Sequence, residues 1–90
     1  MSLLQSIQAE FESIGSQSSL VSFTGKLGLS RADGPGQSTI YSGTPWGLIV
    51  EVRERWWDPS SVYTPQVDKH EAVLTIDGNL IASVRFFGDS

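Results

Sequence analysis

The sequence predicts an α+β fold, with an N-terminal amphipathic helix packed on a curled antiparallel sheet of four or five strands. The outline is cystatin-like or that of a partly open barrel. Three observations predict it. Apolar residues near the N-terminus recur at helical spacing, those further on alternate with polar ones, and the later segments are separated by turn signals too short to hold a crossover helix. At 90 residues with 39% hydrophobic and 18% charged side chains, the chain reads as one domain over 1–90, near the lower size at which a single core suffices.

The helix is expected over 2–14. Leu4, Ile7, Phe11 and Ile14 share a face, Ser2 and Gln5 have capping-box spacing, and Gly15 follows as a stop. Residues 16–19 read as a polar linker. A strand over 19–30 follows, because Val21, Phe23, Leu27 and Leu29 share one parity, with Gly25 and Gly28 marking a bulge or bend. After an Asp-Gly and Pro-Gly loop, a short strand is placed at 38–42. The segment 46–57 reads as a half-buried strand, with Trp46, Leu48, Val50 and Val52 on one face and Ile49, Glu51, Arg53 and Arg55 on the other. Pro65 demotes 62–69 to an edge or loop.

Residues 70–76 and 80–87 form a hairpin. A three-residue loop, Asp77-Gly78-Asn79 with Asn79 left-handed, pairs Ile76 with Leu80, Leu74 with Ala82, Ala72 with Val84 and His70 with Phe86 on an apolar face. It places Glu71 opposite Arg85 on the other.

Composition excludes several chemistries. Without cysteine there are no disulfides, thiolate metal sites or cysteine nucleophiles, and one histidine is too few for a zinc site, so no metal and no cofactor are expected. No Gly-rich loop opens a helix, which argues against a phosphate loop. The formal net charge of −4, with acids scattered singly, disfavours nucleic acid. No apolar run approaches the length of a membrane span and no secretory leader is read, so the expectation is a cytoplasmic protein without membrane contact. A Ser–His–Asp site around His70 can be drawn, but serines are too abundant for that to carry weight. The chain is therefore read as non-enzymatic, with no catalytic residues, and His70 as a histidine stacked near Phe86.

The aromatic residues are the most informative group. Trp46, Trp56, Trp57 and Tyr63 lie close in sequence beside Arg53 and Arg55, a composition typical of protein interfaces. Trp56 and Trp57 point to opposite faces, so one enters the core and the other is exposed, covered by 62–67 or in contact with a partner. Glu54 interrupts the apolar face and is placed at the sheet margin rather than in a cavity. Ile49, Trp57, Ile81 and Phe87 form an apolar strip on the uncovered face, crossed by Glu51, Arg53 and Arg85. These residues support a small acidic accessory protein acting by protein–protein interaction, as a homodimer or through an inhibitor or immunity-type contact. The alternatives are a small-ligand cavity between helix and sheet, lined by Trp46, Glu54 and Trp56, and a minimal enzyme around His70.

Overall fold

A computed structural model describes residues 2–57 and 69–87. Its elements are α1 (Leu3–Glu12), α2 (Gln17–Lys26), β1 (Ser30–Asp33), β2 (Ser38–Gly43), a 3-10 turn (Pro45–Gly47), β3 (Val50–Trp57), β4 (Lys69–Ile76) and β5 (Asn79–Phe87). The strands form an antiparallel meander in the order β1-β2-β3-β4-β5, and the sheet stays open, with β1 and β5 as its edges. Both helices pack on one face, so the α+β architecture predicted from sequence is the one observed, with a second helix added.

Helix α1 forms for the reasons its sequence supplies. Ser2 accepts from Gln5 N, and the Gln5 side chain accepts from Ser2 N, closing a capping box. Ile7 and Phe11 are buried on its core face, and Ile14 follows just beyond its end. Leu4 does not join them. It is 45% exposed, because the first turn of α1 reaches past the core. Gly15 is no helical stop either: α1 ends at Glu12, and Gly15 N donates to Ser19 Oγ.

The expected strand over 19–30 is instead α2, preceded by its own cap rather than a linker. Ser16 and Ser19 make a second capping box. Leu20, Phe23 and Thr24 are buried and Leu27 packs against the core, a helical set at i, i+3, i+4 and i+7. Gly28, at φ 68°, ends the helix. Its N–H donates to Gly25 O and that of Leu29 to Thr24 O, the two bonds of a Schellman motif. A window this short satisfies both a period of two and one of 3.6, and the caps decide between them. Phe11 and Phe23 meet edge to face at 5.6 Å and join the two helices.

The segment 46–57 is shorter as a strand than expected. Pro45 starts a 3-10 turn in which Trp46 takes φ 52°, so β3 begins at Val50. Trp46 therefore leaves the inner face and is 64% exposed at the turn. Val50, Val52, Ala72, Leu74, Ile76 and Phe86 supply the sheet's side of the core.

The hairpin corrects one expectation and keeps another. Its turn has two residues, Asp77 and Gly78, both at positive φ, in the Asp-Gly chemistry that such hairpins favour, and Asn79 begins β5. Ile76 thus faces Asn79 and Thr75 faces Leu80. A bulge between Leu74 and Thr75 then restores Leu74 opposite Ala82, Ala72 opposite Val84, Glu71 opposite Arg85 and His70 opposite Phe86. The turn and the apolar faces demand registers one residue apart, and Ile81 absorbs the difference. Ile81 consequently packs against the core, while Leu80 turns out to 70% exposure.

Candidate functional site

Two side-chain groups stand out, back to back across the ends of β3, β4 and β5. The first lies on the inner face. Register places Trp56, His70 and Phe86 in one row across three strands, and Glu54 one row further in, between Thr39 and Ala72. His70 Nδ1 donates to Glu54 Oε2 at 2.8 Å, and Gln17 Nε2 from α2 donates to Glu54 Oε1 at 3.3 Å. The His70 ring lies between two aromatics, parallel to Phe86 at 5.1 Å and stacked with Trp56 at 6.3 Å. Glu54 is 1% exposed, so it sits inside rather than at the margin. A buried carboxylate needs partners, and the imidazole and the amide provide them. Tyr41 is buried on the same face. Desolvation, then the nearby Glu54 charge, pushes its hydroxyl up from the ordinary value near 10.

A carboxylate holding Nδ1 of an imidazole fixes the ring's orientation, as in many acid–base sites. Here both ring faces are covered by aromatics, and the arrangement ties α2 to the sheet. His70 thus stacks on Phe86 as the sequence suggested, and Glu71 lies on the opposite face, away from it.

The second group is on the outer face, which no helix among the described residues covers. Three strands build it in rows. Trp57, Lys69 and Phe87 form one row and Arg55, Glu71 and Arg85 the next. Arg53, Val73 and Ser83 then precede Glu51, Thr75 and Leu80. Glu71 accepts from Arg55 Nε at 3.0 Å and Arg85 Nε at 3.1 Å. Burial opposes ionisation of Glu71, but these two guanidinium hydrogen bonds and charges outweigh it and hold the carboxyl below its ordinary value. Arg55 lies over the Trp57 ring at 5.4 Å. Arg53 Nε donates to Glu51 at 2.6 Å. A groove of about 780 Å³ runs along this face past Gln37, Ser38, Ile40, Arg53, Arg55 and Trp57.

The sequence-predicted residues divide accordingly. Arg53, Arg55, Trp57, Arg85 and Phe87 come together on the outer face, and Glu54 and Trp56 belong to the inner one. Trp46 stands apart on its turn, and the bulge withdraws Ile81 from the strip. Tyr63 lies outside the described residues, as does the 62–67 segment. Glu54 and Trp56 border the outer groove and Trp46 does not. Sequence reasoning missed Gln17, Lys69 and Leu80. The Ser16–Ser19 cap would have flagged Gln17 as part of a helix's first turn, and the Asp-Gly turn would have flagged Leu80.

Among the described residues no helix is long and apolar enough to cross a membrane. Comparison with protein-family models, with curated proteins and with solved structures finds no match.

Proposed function

We propose that this protein acts without catalysis, by binding protein through the outer face of its sheet. One observation carries the reading: Trp57 and Phe87 flank Lys69 in a row beside Arg55, Glu71 and Arg85. Phe87 is 64% exposed and Trp57 37%. Large aromatics and arginines gathered on an uncovered face are what protein interfaces favour and what solvated faces avoid. An accessory role, as an inhibitor or immunity-type protein, fits such a face on so small a chain.

Photo-crosslinking tests this. A benzophenone side chain at Ser83, on the outer face, should give a protein adduct in the source cell. The same group at Val21, exposed on α2, should not. The Ser83 adduct should fade with excess unlabelled chain and persist with excess Trp57→Asp chain. Equal adducts from both positions, or none from Ser83, would overturn the reading.

The groove favours a second reading, a small planar anion held by Arg53 and Arg55 beside Trp57. It requires saturable quenching of tryptophan fluorescence by an aromatic carboxylate such as benzoate, lost in Trp57→Phe. Unsaturable or unchanged quenching would remove it.

A further inference from the structure

The outer face is self-complementary when its two ends are exchanged, and we propose that its partner is a second copy of this chain, stacked face to face with the strand directions reversed. This rests on the protein-binding reading above and names the partner.

The outer rows hold Arg53, Arg55, Lys69 and Arg85, four of the chain's six cations, with two acids, Glu51 and Glu71. With Asp77 at the turn, the described residues of the face carry +1 on a chain of −4. That charge is unevenly placed. Arg55, Lys69 and Arg85 share the end where β3 and β5 finish and β4 begins, with Glu71 alone against them. Glu51 and Asp77 stand at the other end. Two copies stacked with like ends together would oppose like charges. A two-fold axis lying in the interface and crossing the strands swaps the ends instead.

Each strand then meets its own reverse. On β3 Arg55 comes over Glu51, and Trp57 over Ile49. On β4 Lys69 comes over Asp77. On β5 Arg85 comes over Leu80, while Phe87 reaches the partner's turn end and Arg53 lies on the axis beside its own copy. Ile49, 63% exposed, is the apolar group that Trp57 lacks on its own end, and Leu80, 70% exposed, packs on the stem of Arg85. Ile49 also lies where it can reach the end of the groove lined by Gln37 and Trp57. Ile49 is held in place for this. Its N–H donates to Asp77 Oδ1 at 3.0 Å, and its carbonyl accepts from Asp77 N at 2.8 Å.

Size sets the strength. Four strands of about eight residues span roughly 26 by 19 Å, so two faces together bury about 1,000 Å² or somewhat more. That is the low end for a specific interface, and the dimer should be reversible in the micromolar range.

Sedimentation equilibrium on the full chain tests the arrangement. The wild type should pass from monomer to dimer on concentration. Glu51→Arg and Arg55→Glu should each shift the midpoint at least tenfold toward monomer, and the double variant should regain the dimer, because the swapped charges meet again across the axis. Leu80→Lys, at a position too exposed to affect folding, should also abolish dimerisation. A wild type monomeric throughout overturns the proposal, as do single variants that dimerise normally or a folded double variant that stays monomeric. If such a monomer still yields a foreign adduct from Ser83, the protein-binding reading stands and only the second copy falls.

Discussion

Glu54 Oε2 lies 2.8 Å from His70 Nδ1, with the carboxylate 1% exposed. This pair joins neighbouring strands, and Gln17 extends it to α2. Leaving a buried carboxylate without a hydrogen-bond partner typically costs about 1–3 kcal/mol or more. His70→Ala should therefore destabilise strongly in urea denaturation. A joint Glu54→Leu and His70→Phe variant should recover much of the loss, because no orphaned charge remains. A double variant no better than the worse single would refute a pairwise role.

Phe11 is fully buried and meets Phe23 edge to face. Phe11→Ala should cost about 3–5 kcal/mol, as truncation of a buried phenylalanine does. In a chain this short that loss can exceed the whole stability. Leu4→Ala, by contrast, should be nearly neutral. Comparable losses for the two would mean that α1 buries a wider face than Ile7, Phe11 and Ile14.

Ser16 caps α2 through its side chain, accepting from Ser19 N at 3.2 Å. Ser16→Ala should cost about 1 kcal/mol. Ser18→Ala, away from the capping bonds of Ser19 N, should cost much less. Thermal melts of the two variants decide whether the cap holds α2 in place.

Glu71 has a carboxyl held below its ordinary value near 4.5 by Arg55 and Arg85. The folded state therefore holds this proton less tightly than the unfolded chain. The stability it adds is present above the unfolded value and is lost as pH falls through the lowered folded one. Glu71→Gln should flatten the stability profile below about pH 4.5, and salt should weaken the wild-type effect because both arginines are exposed. An unchanged acid limb in urea titrations would contradict this.

Tyr41 behaves oppositely. Burial and the Glu54 charge raise its hydroxyl above 10, so the stability linked to it is full below the unfolded value and is lost as pH rises through the folded one. Tyr41→Phe should keep the fold to higher pH. Loss of far-ultraviolet circular dichroism at the same alkaline midpoint in both proteins would exclude Tyr41 as the cause.

Local patterns in the chain suffice for α1, the strand positions of β2, β4 and β5, and most of the hairpin register. These rest on local periodicity and on opposed faces, as in the Ser2–Gln5 cap and the Glu71–Arg85 pair. The chain also holds the means to recover α2, in Ser16 and Gly28, since caps are chemical signals rather than periodic ones. Long-range contacts settle the rest. Ile81 or Leu80 could face inward until the Asp77-Gly78 turn and the core competed for register, and the bulge settled it. Glu54 could be marginal or buried until Gln17, 37 residues away, and His70 closed around it. Trp57, Lys69 and Phe87 became one row only when β3, β4 and β5 paired. Local pattern reports the period of a segment, whereas the partner of a buried charge and the neighbours in a sheet row are set by chain segments distant in sequence.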